Sequence, residues 1–417
     1  MSDAFFTWRD AELHAEQVPL ARIAEDYGTP CYVYSRAALQ AGFHAFDDAL
    51  ATHPHLVCFA VKANGNLAVL HELAQLGAGF DIVSGGELER VLRAGGDPGR
   101  IVFSGAGKTA AEMHAALAAD IACFNVESVA ELELLDATAG ALGVTARVAL
   151  RVNPDIDART HPYIATGLAQ HKFGIPLRDA EAAYAHAGRL ANIEVVGVAA
   201  HIGSQILDPG VFSRTATCIV ELAGRLQGRG IRLEHVDLGG GLGIGYGRDT
   251  APTPETYARA LLAPLAGTPW RLLVEPGRAL VGPAGVLLCR ITYLKAQGSK
   301  RFAIVDAGMS ELLRPALYQA WHTIVPVRER SELEEQIYDV VGPLCESADF
   351  LGRDRALRVA AGDLVVALDA GAYGFVMSSN YNGRERPPEL MVDGRRVHVV
   401  RRRERLDDQL SLERALP

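Results

Sequence analysis

A lysine stands at the end of an apolar run in the stretch "CFAVKANGN", residues 58–66. Cys58 to Val61 reads as a buried strand, and Lys62 comes just before Asn64 and Gly65, which favour a turn. A lysine in this place can send its ammonium group to solvent along its aliphatic stem. It can instead be a desolvated amine, which is the nucleophile that Schiff-base chemistry needs. The rest of the chain has to decide between these two interpretations.

The strongest local signal is the glycine-rich stretch "DLGGGLGIGYG", Asp237–Gly247. Gly239, Gly240 and Gly241 let backbone N–H groups come close to an anion, and a helix directly after them would add its positive end. Neither the G-x-G-x-x-G fingerprint nor the Gly-Lys-Ser/Thr ending of a P-loop is present. We therefore expect a phosphate-binding loop, and the alternative is a flexible turn.

Polar residues also follow other apolar runs, and they suggest a cofactor. Glu275 and Arg278 follow "RLLV", and His201 and Ser204 follow "VVGVAA". A phosphate-bearing cofactor that takes a lysine as an imine and places a carboxylate beside a ring nitrogen is pyridoxal 5′-phosphate. His201 could stack on that ring, although a histidine near a strand end is more often structural. Similar positions, whose roles the sequence leaves open, include Asp81, Asn125 and Arg151.

From residue 58 to residue 278 the sequence alternates between two kinds of segment, and these must position the residues named above. Eight short apolar runs are separated by Ala/Leu/Glu-rich stretches with helical spacing, a pattern typical of parallel strands joined by crossover helices. Eight such units predict a (β/α)8 TIM-type barrel, whose active site lies at the carboxyl ends of the strands. The runs are "VCFAVKA", "GFDIVSG", "RIVFSG", "IACFNVES", "ARVALRVNP", "VVGVAAHIGS", "EHVDLGGG" and "RLLVEPGR".

After Pro283 strand-like runs follow one another with turns in place of helices, which indicates an antiparallel β-sheet domain of the sandwich or barrel kind. The early run "PCYVYS", residues 30–35, is expected to join that sheet. We therefore predict a barrel over residues 36–280 that binds pyridoxal phosphate. Residues 1–35 and 281–417 are predicted to form the β domain.

Composition excludes several classes of partner. The chain has 417 residues, of which 49% are hydrophobic and 22% charged, and its net charge of −9 argues against nucleic acid and anionic membranes. The six cysteines are scattered without a CxxC pair, so neither a metal site nor a disulfide framework is indicated. No long apolar stretch could span a membrane, the N-terminus lacks the apolar core of a signal peptide, and we expect a cytoplasmic protein.

Taken together and in order, eight motifs make the sequence resemble the fold-type III pyridoxal-phosphate decarboxylases, which are related to alanine racemase and ornithine decarboxylase. The resemblance is closest to the diaminopimelate decarboxylases of lysine biosynthesis, and it covers nearly the whole chain. The motifs are "FAVKAN", "FDIVSGGEL", "HIGSQ", "DLGGGLGIGY", "EPGR", "MSELLRPALYQAWH", "GPLCESAD" and "DAGAYGFVMSSNYNGRERPPELMV".

The resemblance implies a role for each matching residue. Lys62 forms the internal aldimine, and His201 lies against the cofactor ring. The phosphate and the pyridine are held by Ser204, Gly239, Gly240, Gly241, Glu275, Gly277 and Arg278, with Tyr373 nearby. Cys345 is the implied proton donor, which suits a thiol because the ordinary pKa of cysteine is about 8.5. Cys345 and Glu346 reach the site from the other subunit in such proteins, so a homodimer with active sites at the subunit interface is implied.

Together with the family pattern on which the assignment depends, the charge of the candidate substrate-binding residues favours meso-2,6-diaminopimelate, which would be converted to L-lysine and CO2. Arg278 and Arg314, with Tyr318 one helical turn later, suit a distal carboxylate, and Glu346 suits the amine beside it. Tyr373 completes the implied substrate-binding set. Taken singly, each arginine could equally be a surface ion-pair residue.

Three alternatives stay open. A related decarboxylase could act on D-lysine, D-ornithine or carboxynorspermidine, although Arg278 and Arg314 disfavour the two basic substrates. A racemase of the same fold type is disfavoured by Glu275, because a carboxylate at the ring nitrogen strengthens the electron sink. A non-catalytic pyridoxal-phosphate-binding regulator is disfavoured because both Lys62 and Cys345 are present.

Overall fold

The computed structural model describes residues 5–157 and 172–416. The strands in chain order are β1 (Phe6–Arg9), β2 (Glu12–Ala15), β3 (Val18–Pro19), β4 (Cys31–Ser35), β5 (His55–Ala60), β6 (Gly79–Ile82), β7 (Ile101–Phe103), β8 (Cys123–Val126), β9 (Ala146–Asn153), β10 (Ile175–Pro176), β11 (Ile193–Ala199), β12 (His235–Asp237), β13 (Arg271–Val274), β14 (Gly285–Gln297), β15 (Lys300–Val305), β16 (Ile324–Pro326), β17 (Gln336–Val341), β18 (Phe350–Leu357), β19 (Leu364–Ala367), β20 (Glu389–Asp393) and β21 (Arg396–Arg401).

The helices lie mostly between the strands of the first half of the chain. They are α1 (Leu20–Tyr27), α2 (Arg36–Leu50), α3 (Leu67–Gln75), α4 (Gly85–Arg93), α5 (Ala110–Ala118), α6 (Val129–Leu142), α7 (Leu177–Ala187), α8 (Pro209–Gly228), α9 (Pro254–Leu265), α10 (Arg278–Val281), α11 (Arg314–Tyr318) and α12 (Leu406–Leu410). None of these described helices has the length and the apolar composition that crossing a bilayer requires.

The chain divides into two compact units. The barrel unit consists of Gly42–Ile244 and Thr250–Leu280, and the β unit consists of Met1–Ala41, Gly245–Asp249 and Val281–Pro417. Residues 36–41 and 245–249, which the sequence-based boundaries place in the barrel, therefore belong to the β unit. One reason lies in a hydrogen bond of 2.9 Å, which the Thr323 hydroxyl donates to the carbonyl oxygen of Tyr246.

The barrel unit closes around eight parallel strands, and this confirms the predicted (β/α)8 architecture. The strands pair in the order β9-β11-β12-β13-β5-β6-β7-β8, and a further parallel pairing of β8 with β9 completes the ring. The short β10 adds to β9 as a ninth strand. Buried side chains from six strands pack together inside the ring, namely Leu56, Cys58, Val102, Cys123, Ala149, Val196, Ala199 and Leu273. The barrel is therefore a packed core, and only its mouth can hold a ligand.

Short polar side chains start the helices that follow the barrel strands. Ser84 and Ser128 accept hydrogen bonds from the backbone N–H groups of Glu87 and Glu131, each over 3.2 Å. Thr109 forms a capping box at the start of α5. Such caps satisfy N–H groups that have no partner inside a helix, so the chain turns sharply from strand to helix at each of these positions. The strand ends are thereby fixed at one edge of the barrel.

The β unit contains the predicted sheet, built around the long strand β14. Its main path runs β18-β17-β15-β14-β4-β20-β21, with β19 paired to both β14 and β16. Most pairings are antiparallel, but β4 with β20 and β15 with β17 are parallel. The run at residues 30–35 joins this sheet as predicted, because β4 pairs with β14. One sheet face packs a core that includes Val33, Val286, Leu288, Val366 and Leu390.

Candidate active site

A cavity of about 170 Å3 opens at the carboxyl ends of the barrel strands. Its walls come from the ends of strands that lie far apart in the sequence, as expected for a barrel mouth. The lining residues are Lys62, Val83, Ser104, Gly105, Asn125, Arg151, Phe173, Ala199, Ala200, His201 and Glu275. Three predicted site residues of the barrel unit, Lys62, His201 and Glu275, therefore meet in one cavity.

Lys62 lies in a short 3-10 turn directly after β5, so its side chain leaves the barrel wall at the cavity. Its Nζ donates a hydrogen bond of 2.5 Å to Oδ2 of Asp81, which lies in β6 and is fully buried. About a third of the Lys62 side chain remains exposed. The amine is thus neither free in solvent nor sealed in the core, because a buried carboxylate holds it while it lines the cavity.

Glu275, which lines the cavity, forms a pair of buried carboxyl groups with Asp237. Asp237 is 0% exposed and Glu275 5% exposed. The side-chain amide of Asn125 donates to both, over 3.0 Å to Asp237 and 3.3 Å to Glu275. Ser104 adds a long hydrogen bond of 3.4 Å to Glu275. Burial raises the pKa of Asp237 and raises that of Glu275 well above its ordinary value, and each neighbouring carboxylate adds to the rise for Glu275.

His201 is held neutral. Burial, followed by the nearby charges of Arg151 and Lys62, holds the pKa of His201 well below its ordinary value. The backbone N–H of Gly240 donates to Nδ1 of His201 over 3.2 Å, so this nitrogen is an acceptor. The same Nδ1 lies 3.9 Å from Glu275, a contact that is not an ion pair for a neutral ring. His201 therefore contributes a flat uncharged ring to the cavity wall.

A buried network of charged groups fixes the wall next to His201. Arg151 donates to Oε1 of Glu127 over 2.8 Å and to the carbonyl oxygen of His201 over 3.2 Å. Beside it, Lys108 donates to Glu131 over 2.7 Å, and Glu131 in turn accepts the N–H of Glu127 over 3.0 Å. Since both ion pairs are buried, each cation has its own carboxylate, and the segments after β7 and β8 are tied to each other and to strand β9.

The predicted anion-binding residues form a tight backbone turn. Gly239 and Gly241 have φ values of +66° and +104°, which side-chain-bearing residues rarely adopt. A Cβ on Gly240 would collide with the carbonyl oxygen of Glu275. Arg278 donates to the hydroxyl of Ser204 over 3.0 Å. The helix expected directly after the glycines is not there, because α9 begins only at Pro254, and the glycine loop continues to that residue.

The residues around the cavity fit pyridoxal 5′-phosphate. Two buried oxygens, Oδ1 of Asp81 and Oδ1 of Asn125, have no hydrogen-bond partner among the described residues. An amine, a neutral aromatic ring and a carboxyl line the same cavity, and the glycine turn offers space that side chains would fill. No group of three or more metal-ligating side chains occurs within the described ranges 5–157 and 172–416.

The predicted proton donor lies in an exposed loop of the β unit. Cys345 is exposed, whereas Cys31, Cys58, Cys123 and Cys289 are buried and Cys218 is half-buried. The neighbouring Glu346 accepts a hydrogen bond of 2.5 Å from the hydroxyl of Tyr381. The loop is anchored by the buried Asp349, which accepts the N–H groups of Met309 over 2.6 Å and Leu344 over 2.7 Å. The exposed loop is thus attached to a rigid base.

The predicted substrate-binding residues of the β unit lie in separate places. Arg314 is buried, contacts the ring of Tyr246 with 4.5 Å between guanidinium and ring centre, and lies 2.7 Å from Nε2 of His322. Tyr318 ends α11 and is half-buried. Tyr373 is half-buried and has a φ of +54°, an unusual value for a tyrosine.

Comparisons with known proteins first define the class. The family model "Pyridoxal-dependent decarboxylase, pyridoxal binding domain" matches residues 36–282, which include the whole barrel wall and the cavity residues. Among curated relatives, the diaminopimelate decarboxylase of Pseudomonas aeruginosa is 56% identical over 99% of both chains. That of Vibrio cholerae is 53% identical over 100% of both chains. The class is therefore that of the pyridoxal-dependent decarboxylases.

A solved structure agrees with these relatives. The diaminopimelate decarboxylase of M. jannaschii, in complex with L-lysine, superposes with a TM-score of 0.95 at 36% identity, covering 100% of this chain and 99% of that one. The chain belongs to the family of diaminopimelate decarboxylases.

Sequence reasoning missed two residues of the site, Asp237 and Ser104, and left others without a role. Asp237 lies inside a quoted strand run, but two residues before three glycines it reads as a turn-former. Asp81, Asn125 and Arg151 were expected at strand ends, and the structure now gives each of them a partner. Ser104 was not singled out. A signal existed for Asp237, since an acid within an apolar strand is buried and must have a partner.

Proposed function

We propose that this protein is an amino-acid decarboxylase that converts meso-2,6-diaminopimelate to L-lysine and CO2, the last step of lysine biosynthesis, with pyridoxal 5′-phosphate as cofactor. The observation that carries the proposal is the meeting of Lys62, His201 and Glu275 in one cavity at the barrel mouth. Family membership supports the substrate, since the relatives at 53–56% identity are diaminopimelate decarboxylases. A cytoplasmic location is part of the proposal, because it is where the substrates of amino-acid biosynthesis are made.

The barrel unit would hold the cofactor. Lys62 would bind its aldehyde carbon, and Glu275 would face its ring nitrogen. His201, which is neutral, would lie against the ring without adding charge. The phosphate would be held by Ser204, Gly239, Gly240, Gly241, Gly277 and Arg278, and the hydrogen bond of 3.0 Å from Arg278 to Ser204 keeps those two side chains in place. When bound, the cofactor supplies an electron sink for the bond that breaks at the substrate Cα.

Two acids of the barrel unit would support this chemistry, Asp81 at the amine and Glu275 at the ring nitrogen. Asp81 accepts the hydrogen bond of Lys62 and so keeps the amine in the cavity when it is not bound to the cofactor. Glu275 supplies negative charge to a ring nitrogen in a buried site, where electrostatic effects are larger than in water. Both effects serve the loss of the α-carboxylate as CO2, because electrons from the breaking bond need a cationic acceptor.

The β unit would supply the proton and the substrate contacts. Cys345 would donate a proton to the substrate Cα after CO2 has left, which suits an exposed thiol on an anchored loop. Glu346 would bind the distal amine, while Arg314, Tyr318 and Tyr373, together with Arg278, would bind the distal carboxylate. We propose a homodimer in which Cys345 and Glu346 serve the active site of the partner copy.

The runner-up is a related decarboxylase acting on D-lysine, D-ornithine or carboxynorspermidine. The buried Arg314 disfavours the first two, because a buried guanidinium facing a distal ammonium group would be repulsive. A non-catalytic regulator is a weaker alternative, since Lys62 and Cys345 are both present.

The test is release of CO2 from meso-diaminopimelate, D-lysine and L-ornithine, each supplied separately to the protein loaded with cofactor. We expect turnover of meso-diaminopimelate and at least about a hundredfold lower kcat/KM for the other two, a difference of about 2.7 kcal/mol. A preference for D-lysine or L-ornithine would overturn the substrate assignment.

A second measurement tests the attachment of the cofactor independently of turnover. Borohydride treatment of the loaded protein should leave a pyridoxyl label on Lys62, and the K62A variant should not be labelled there. The matched control is K300A, because Lys300 forms an exposed ion pair with Asp339 and should change neither label nor activity. Labelling of another lysine in the wild type would contradict the assignment of Lys62.

A further inference from the structure

Asp237 and Glu275 form a buried pair of acids that has no cation of its own. Neither carboxylate forms an ion pair with a lysine or an arginine within the described part of the chain, residues 5–157 and 172–416. Two like charges at such close quarters in a buried site repel strongly, so one of the two groups is expected to hold a proton. The neighbouring residues decide whether any other group could relieve this repulsion.

Every ionisable group that faces the pair is either neutral or already paired. Lys62 and Asp81 form an ion pair with no net charge. His201 is neutral, and its Nδ1 accepts the N–H of Gly240. Cys58 and Tyr257 also face the two acids, Cys123 faces Asp237, and burial raises the pKa of all three well above neutrality, so they stay uncharged. The pair therefore receives no compensating positive charge from the elements packed against it.

The hydrogen bonds indicate which acid holds the charge. Asp237 accepts the backbone N–H of Gly239 over 2.9 Å and the amide of Asn125 over 3.0 Å. Glu275 accepts only the longer bonds of 3.3 Å from Asn125 and 3.4 Å from Ser104. Stronger donation to Asp237 favours its ionised form, and a protonated Glu275 can then donate to the Asp237 carboxylate.

We propose that Asp237 and Glu275 share one proton in the cofactor-free protein, with the proton on Glu275, and that Asp237 is a positioning residue that readies this proton for the cofactor. Glu275 gives the proton up when a basic ring nitrogen lies against it: the O–H bond of the carboxyl breaks, an N–H bond forms, and Glu275 becomes a carboxylate. No electrons are transferred to or from an outside group. The second half of the proposal rests on the proposed function, whereas the shared proton belongs to the free protein alone.

This arrangement gives Asp237 a role in the reaction although Glu275, and not Asp237, lines the cavity. The negative charge of Asp237 keeps a proton on Glu275 in the free protein, and after the transfer it would add to the charge of the Glu275 carboxylate in stabilising a cationic ring nitrogen. A substitution at Asp237 should therefore slow the bond-breaking step more than it weakens substrate binding.

The test is infrared difference spectroscopy of the full-length protein, without and with pyridoxal phosphate, at neutral pH in H2O and in D2O. In the wild type we expect a carbonyl band of a protonated carboxyl group, shifted in D2O, that is lost when the cofactor binds. E275Q should lack this cofactor-linked loss. The matched control is E311Q, since Glu311 is a buried acid of the β unit whose pKa is also raised by burial, and it should keep the loss.

The role of Asp237 is tested with D237N. Removing the neighbouring charge should move the pH at which the Glu275 band disappears downward by at least about one pH unit, a factor of ten in proton affinity. The loaded variant should show a decrease in kcat of about tenfold with little change in KM.

Three results would overturn the proposal. They are the absence of a cofactor-linked loss in the wild type, its persistence in E275Q, and an unchanged midpoint in D237N. The first two need no folded D237N protein. A protein that binds the cofactor and shows the band, but releases no CO2 from meso-diaminopimelate, would refute the proposed function and leave the shared proton standing.

Discussion

Replacement of Lys108 by methionine should cost the barrel unit a large part of its stability. The Lys108 side chain is 0% exposed, and its Nζ donates to Glu131 over 2.7 Å and to the carbonyl oxygens of Gly105 and Asn125 over 2.8 Å each. Methionine has a similar volume but no donor, so K108M leaves one carboxylate and two carbonyl groups buried without this partner. Removal of one member of a buried ion pair typically costs about 3–5 kcal/mol.

The expected loss for K108M lies at the lower end of that range, about 3 kcal/mol, because the remaining acid can take up a proton. Burial already raises the pKa of Glu131, and loss of the Lys108 charge raises it further. When the pKa of a carboxyl group is higher in the folded than in the unfolded protein, the folded protein loses stability as pH rises above the unfolded pKa, about 4.3. The difference between K108M and the wild type should therefore grow from acidic to neutral pH.

The assay is urea unfolding followed by the fluorescence of Trp270, which is buried in the barrel unit. Replacing Trp8 and Trp321 by phenylalanine leaves Trp270 as the one tryptophan of the chain. The control is K300M: Lys300 is 3.0 Å from Asp339, but its side chain is 54% exposed, so the expected loss is much smaller than that of K108M.

Two results would refute the reasoning behind K108M. The first is a loss no larger than that of K300M, and the second is a loss that does not depend on pH between acidic and neutral conditions. The double variant K108M/E131L supplies a further check. Since it removes both charges, it should recover most of the stability that K108M loses.

Three further predictions concern the site and its supports. G240A should weaken cofactor binding by at least about tenfold in an absorbance titration, because its methyl group would collide with the Glu275 carbonyl oxygen; G224A, in open space on a helix, should not. D349A, which removes the carboxylate that anchors the proton-donor loop, should lower kcat by at least about tenfold while the cofactor spectrum stays unchanged. Burial raises the pKa of Glu87 to about 7, so E87Q should gain stability relative to the wild type as pH rises from about 4.3 through 7, measured by urea unfolding.

The barrel could be predicted because each strand is buried on both faces and therefore reads as a short apolar run. All eight runs became strands. Apart from the two-residue β10, the strands that were not predicted lie in the β unit. An example is Phe350–Leu357, in which charged residues interrupt the apolar positions, because this strand alternates between buried and exposed side chains.

The candidate site likewise contains residues that could be predicted from the sequence and residues that could not. Lys62 and Glu275 could be predicted because a polar residue directly after a buried strand has to lie at the barrel mouth. Asp237 could not, because its role depends on Asn125 and Glu275, and the first of these lies 112 residues away in the sequence. The local sequence pattern indicates that an acid is buried, but only the structure of the closed barrel shows which amide and which second acid it contacts.

The balance of charge at the barrel mouth connects these observations. Three buried or partly buried cations, Lys62, Lys108 and Arg151, each have a carboxylate partner. Asp237 and Glu275 are then two further acids without a cation, so the cavity carries an excess of negative potential beside a neutral His201. A cationic ring nitrogen is the group that this excess would stabilise, while the glycine turn and Arg278 would hold an anionic phosphate. A cofactor with a basic ring and a phosphate would match both the buried acids and the glycine turn.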